Sequence, residues 1–266
     1  MNCRSVLRFT LPFFFLLFLT LFLTLGAYAD SVNLGSAGSY GVLAGSTVTN
    51  TGSSVINGNL GVSAGCAITG FPPGIVHGAT NPCNAASLQA QKDLTAAYNQ
   101  GMGMSRTGTL TGQDLGGQNL THGVYFFQTS AQLTGTLTLN NNGNRNAVFI
   151  FQIGSTLTTA SSSSIVFTNG QDKNVFFVVG SSATLGTGTQ FAGHILALTS
   201  ITLNTGANIT CGSALARNGA VTMDTNVITT KCNGGGGMST PEPGTIGLMG
   251  SGLVILASVA RRKLRI

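Results

Sequence analysis

The chain has 266 residues, of which only 7% are charged and none is Trp, and its formal net charge is +6. That charge lies in the two ends: Arg4 and Arg8 at one, Arg261, Arg262, Lys263 and Arg265 at the other, leaving six Lys or Arg against five Asp between Asp30 and Cys232. A near-neutral middle without a basic, aromatic-interleaved patch excludes nucleic acid as a partner, and its wealth of β-branched residues is the reverse of a disordered composition.

In chain order, Arg4 and Arg8 precede an apolar run from Leu11 to Leu25 and the small-x-small site Ala27-Tyr28-Ala29. Residues 1–29 read as a secretory signal peptide, with the mature chain starting near Asp30. Four cysteines remain after Cys3 departs: Cys66, Cys83, Cys211 and Cys232. Two disulfides are the default in an exported chain. Three pairings are possible, and proximity favours Cys66–Cys83 with Cys211–Cys232, each closing a loop of roughly 20 residues for about 3 kcal/mol. No CxxC pair occurs and His77, His122 and His194 are scattered, so no metal or cofactor is expected.

Residues 30–232 form one domain. From Val32 to Gly70, short β-type runs alternate with Gly, Ser, Thr and Asn until Phe71-Pro72-Pro73-Gly74 breaks the pattern. Ala85 to about Gly101 then predicts an amphipathic helix, with Asn84 as N-cap, Gly101 or Gly103 as the stop and a Leu88, Leu94 and Tyr98 face laid along the strands. From Thr107 to Thr230 strands return, and Val175-Phe176-Phe177-Val178-Val179 reads as a strand buried on both faces. One phrase recurs: Thr156-Leu157-Thr158-Thr159-Ala160, Thr184-Leu185-Gly186-Thr187-Gly188, Thr202-Leu203-Asn204-Thr205-Gly206 and Thr222-Met223-Asp224-Thr225-Asn226. Its apolar positions are 28, 18 and 20 residues apart, which suits stacked coils of three short strands, with an insertion near 169–174 in the long step. The expectation is an all-β solenoid with apolar residues inside and threonine ladders outside.

After the linker 233–240, which contains Gly234 to Gly237, come Pro241-Glu242-Pro243, an apolar stretch from Thr245 to Ala260 and the basic cluster from Arg261. The stretch is near the lower limit for crossing a bilayer, and the cluster would stay cytoplasmic. Residues 241–266 resemble a PEP-CTERM sorting signal. The resemblance implies recognition by an exosortase, transient inner-membrane anchoring through a short transmembrane segment, and removal as the protein reaches the cell surface.

The mature domain resembles the large secreted ice-binding protein family. The matching segments are Leu34 to Ala44, Thr51 to Val62, Ile68 to Gly74, the helix, Gly123-Val124-Tyr125, and Leu215 to Thr222. This implies a right-handed, three-faced β-solenoid (a discontinuous β-helix) with one long α-helix packed alongside and the N-terminal segment beside the C-terminal coil. The implied partner is an ice crystal surface. Some family members carry Thr-(Ala or Gly)-x-(Thr or Asn) on the ice-binding face; Thr205-Gly206-Ala207-Asn208 fits, and the stretches from Thr51, Thr159 and Thr187 fit in part. Side-chain parity leaves two faces competing, one holding Thr202 and Asn204 but interrupted by Asp224, the other reached after a bend. The site is placed after the bend, at Thr51, Ser54, Thr159, Ser162, Thr187, Thr189, Thr205 and Asn208. The alternative is a non-enzymatic cell-surface or biofilm-matrix protein contacting polysaccharide. Tyr40, Tyr98 and Tyr125 read as buried, however, which leaves no aromatic platform for a sugar. Asp93, Asp114, Asp172 and Asp224 are scattered, which argues against an enzyme.

Overall fold

Alternating β-branched and polar residues with glycine corners produce strands two to nine residues long, and in the computed structural model, which describes residues 31–169 and 174–232, these strands pair in parallel. A seven-stranded sheet takes 131–133, 157–159, 183–185, 201–203, 221–224, 47–51 and 67–69, in that spatial order. A fifteen-stranded sheet holds two further series. One, here the helix-side series, includes Gly123–Phe127, Phe149–Ile153, Val175–Val179 and Tyr40–Ala44. The other, the open series, includes Thr136–Asn140, Ser164–Thr168, Val227–Thr229 and Val55–Asn57. Two long strands, Gln190–Ala197 and Asn208–Ala216, run through both series. They bend at Gly193 (φ 105°) and Cys211 (φ 48°).

The order of coils departs from the order of sequence. Thr47–Thr51 pairs with Val221–Asp224, Tyr40–Ala44 with Asn208–Ala216, and Val55–Asn57 with Val227–Thr229, so the N-terminal coils stack beyond the C-terminal one. Register also relocates the repeat. Thr158 lies opposite Thr184, and Leu157 opposite Ala183, so the first phrase belongs two residues later than its likeness to the others suggests. The extra residues of that coil fall where expected. Ser164 pairs with Gln190 and Phe176 with His194, which places eight additional residues between Ser164 and Phe176, at the corner that the later strands cross without a break.

Val175, Phe177 and Val179 point into the core, while Phe176 and Val178 point outward under the helix, and all five are buried. Tyr125, Phe151 and Phe177 stack from coil to coil with ring centroids 5.6 and 4.4 Å apart, and Phe191 tilts onto Phe177 at 4.8 Å. The helix, α1, spans Ala85–Gly103, ending at the second of the two glycines expected to stop it. Asn84 accepts from Ser87 N and Ser87 Oγ accepts from Asn84 N, a reciprocal cap. The buried stripe is Ser87, Ala90, Gln91, Leu94, Ala97, Tyr98 and Gly101. Leu94 and Tyr98 lie in it as expected, but Leu88 does not, being 48% exposed. Small residues govern the contact because α1 lies close on the sheet: a Cβ at Gly101 would sit 2.7 Å from Val178 Cγ2. The buried Gln152 amide donates to the carbonyls of Gly101 and Met104 at 2.9 and 2.8 Å, closing the end of α1. Cys66 bonds to Cys83 and Cys211 to Cys232.

His194 stacks on Phe176 at 5.3 Å, and its Nδ1 lies 2.8 Å from Ser213 Oγ. Desolvation holds its pKa down to about 4. Below pH 6.5 the unfolded chain takes up a proton that the folded chain refuses, so stability is lost as pH falls from about 6.5 to about 4, by at most about 3 kcal/mol. Asp93 acts lower on the scale, its carboxylate held below the ordinary range first by the Ser36 hydroxyl and then by the Ser36 N–H. Melting temperatures measured across this range should fall in the parent, and His194→Gln should flatten the slope.

Candidate functional site

Of the three pairing series, the helix-side one is covered by α1. The seven-stranded sheet and the open series remain exposed, and strand parity decides what each presents.

On the seven-stranded sheet the inward residues are mostly apolar: Leu133, Leu157, Leu185, Leu203, Met223 and Val48 are all buried, with Thr159 and Asn50 as buried polar members of the same rows. The residues between them face outward and stand in register. Thr158 pairs with Thr184, Thr184 with Thr202, Thr202 with Thr222, Thr222 with Thr49, and Thr49 with Thr69. Six threonines on six adjacent strands thus form one unbroken column, extended by Gln132 opposite Thr158. At the strand spacing of parallel sheets, the column runs about 24 Å. Two residues before it stand Ser130, Thr156, Ser182, Ser200, Ala220, Thr47 and Ala67, with Thr156 Oγ1 donating to Ser130 Oγ at 2.8 Å. Two residues after it stand Thr134, Ala160, Gly186, Asn204, Asp224 and Thr51. Asp224 pairs with Thr51, on the face where it was expected to interrupt. Its carboxylate accepts from the hydroxyls of Thr205 and Thr225, so it is tied down at the rim and the central threonine column passes it intact.

The open series is less regular. Ser164, Gln190, Asn208, Val227, Val55 and Ile75 share one outward row of mixed size, in which Val227 is 42% and Ile75 52% exposed. Asn208 Oδ1 is occupied, accepting from Val227 N at 2.7 Å.

The residues expected to form the site do not share one surface. Ser54, Thr159 and Thr189 are buried, at 0, 3 and 0% exposure. Thr159 Oγ1 lies 2.8 Å from Thr189 Oγ1 and accepts from Gly186 N, and Ser54 Oγ accepts from Asn226 N. Thr51, Thr187 and Thr205 are exposed at the edge of the seven-stranded sheet, Ser162 is exposed in the corner, and Asn208 is half-buried on the open series.

The corner explains why they part. Ser162, Gly188, Gly206, Thr225 and Gly52 all have positive φ. That turn throws the next inward side chain into the interior, where its polar atoms bond the corner backbone. Ser163 donates to the Leu133 carbonyl, Thr189 to that of Ala160, and Asn226 to those of Asn204 and Ala207. In register, Ser161 rather than Thr159 lies opposite Thr187. Sequence reading missed Thr49 and Thr69 altogether. Their signal was the alternation Thr47-Val48-Thr49 and Ile68-Thr69.

Comparison with known proteins agrees with this architecture. Residues 42–229 match the ice-binding-like family and residues 239–263 the PEP-CTERM protein-sorting motif. The chain is 58% identical over 243 residues to an ice-binding protein of Nostoc sp. (strain HG1), with 90% of each covered. It is 34% identical over 231 residues to ice-binding protein 1 of Shewanella frigidimarina; that match takes in 74% of this chain and 26% of the larger protein. Among solved structures, the ice-binding protein of the Antarctic ascomycete Antarctomyces psychrotrophicus superposes with a TM-score of 0.73 at 41% identity, covering 76% of this chain and 99% of that one. With the family matched over most of its length and the same fold in its relatives, the chain belongs to the ice-binding-like family.

Proposed function

We propose that the protein is an exported, non-enzymatic ice-binding protein that adsorbs to ice through its seven-stranded sheet, as one side of a right-handed, three-faced solenoid. The observation that carries this is the unbroken column of Thr158, Thr184, Thr202, Thr222, Thr49 and Thr69. Parallel strands repeat every ~4.8 Å, close to oxygen spacings in ice, so each coil offers a methyl and a hydroxyl at a matching interval. The methyls order neighbouring water and the hydroxyls anchor it. Each contact is weak, and adhesion depends on many forming at once on a rigid scaffold whose ordering cost is already met. The site belongs on this sheet rather than at the residues after the bend, because three of those residues lie in the interior.

The alternative, a matrix or surface module without ice activity, draws on the sorting motif alone. Thermal hysteresis and inhibition of ice recrystallisation by the disulfide-intact domain 30–232 separate the two. Faceted crystals and a hysteresis gap are expected. A folded domain with neither would leave the matrix reading standing.

A further inference from the structure

Buried polar side chains stand beneath the seven-stranded sheet where its interior could have been wholly apolar, and each ties two neighbouring coils. Thr159 and Asn50 share an inward row with Leu133, Leu203 and Met223, and Asn226 is buried in the corner just past Asp224. Thr159 Oγ1 accepts from Gly186 N at 2.9 Å, and Thr189 Oγ1 donates to the Ala160 carbonyl at 3.2 Å, so between the two hydroxyls Thr159 is the donor. That relay joins the residues two positions after Thr184 and Thr158. Asn226 Oδ1 accepts from Asp224 N at 2.6 Å and its Nδ2 donates to the Asn204 carbonyl at 2.9 Å, joining the equivalent residues after Thr222 and Thr202. Asn50 Nδ2 donates to the carbonyls of Gly52 and Gly70, both at 2.9 Å, and so joins the coils of Thr49 and Thr69. Every threonine of the column thus belongs to a coil tied to a neighbour from beneath.

An apolar residue in any of these places would fill the space without satisfying the backbone that leaves the sheet. Folding alone does not call for them, because a buried polar group must first recover its desolvation cost. What a satisfied buried network adds is one fixed arrangement. We propose that Thr159, Asn226 and Asn50 are positioning residues, which hold the six threonines in one plane by fixing the backbone just past each of them. This rests on the seven-stranded sheet being the ice-binding face. A common plane matters because the contacts with ice are weak and count only when they form together. A coil whose corner is free to rock takes its methyl and hydroxyl out of that plane.

The test combines Thr159→Val with Thr189→Val. Making both hydroxyl partners apolar at unchanged shape disturbs the fold least, while Gly186 N loses its acceptor. Exchange of the Gly186 amide should quicken about fivefold or more, the equivalent of one hydrogen bond. The concentration giving a fixed hysteresis should rise about fivefold in a domain whose circular dichroism is unchanged. Thr159→Ser, which keeps the hydroxyl, should stay close to the parent, and Phe177→Ala, although less stable, should not share the loss. Parental hysteresis in the folded double variant would overturn the proposal and leave the ice face standing, as would a Thr159→Ser variant impaired as much as the double one. No hysteresis in the folded parent would instead sink the reading beneath it. Should the double variant not fold, Asn50→Leu puts the same question at Thr49 and Thr69 with the same readouts.

Discussion

Thr202→Tyr should remove most ice activity from a domain that still folds. Thr202 sits in the middle of the column, between Thr184 and Thr222, and its neighbours Ile201 and Leu203 are the ones that fill the core. A tyrosine there keeps a good strand former on a solvent-facing position. Its ring nevertheless stands above the threonine methyls and lifts the sheet off the crystal on both sides. The effect therefore exceeds the loss of one contact, because a flat rigid surface cannot seat its remaining threonines around a protruding ring. We expect the protein concentration giving a fixed hysteresis to rise about tenfold or more, the equivalent of about 1.4 kcal/mol. Melting temperature should stay within a few degrees of the parent, since surface substitutions usually change stability by less than about 0.5 kcal/mol. Thr210→Tyr is the control, being exposed on the open series. Loss of activity in Thr210→Tyr with Thr202→Tyr unaffected would move the site to that series.

Phe177→Ala should have the larger effect on folding and little on the ice face. Phe177 is fully buried, stacked between Phe151 and Phe191 where three coils meet. Removing such a ring costs about 3–5 kcal/mol through lost transfer energy and the cavity left behind. That is a large share of the roughly 5–15 kcal/mol typical of a domain. Chemical denaturation with both disulfides intact should show the unfolding free energy lowered by that amount, with the midpoint falling in proportion. Hysteresis near 0 °C should persist for the fraction still folded, because Phe177 belongs to the helix-side series and supports the threonine column only through the core. A variant as stable as the parent would show that the aromatic column contributes less than its burial implies.

The two variants separate features that the sequence carries in different ways. Local patterning reveals what depends on near neighbours. The continuous apolar run from Val175 to Val179 marked a strand buried on both faces, Asn84 and the Ala- and Gln-rich run after it marked the helix, and the short separations of Cys66 from Cys83 and Cys211 from Cys232 favoured the observed disulfides. The recurrence of Thr184, Thr202 and Thr222 showed that coils stack, and the long step between phrases located the inserted corner.

The resemblance implied that the N-terminal segment packs beside the C-terminal coil, but the exact register of that docking was not legible. Thr49 joins the column only because the N-terminal coil docks beyond the last one, a pairing that links residues more than 170 positions apart. Thr158 was hidden behind Thr156, since a phrase matched by eye can slip by two residues and keep its parity. The threonines of the corners misled for a further reason. A positive φ at Gly188 or Ser162 reverses which side chains point inward, and a buried hydroxyl such as that of Thr189 is stable there because it satisfies corner backbone. Composition cannot separate a threonine that faces water from one that bonds a turn. Coil stacking and corner geometry make that distinction, and both are properties of the tertiary structure.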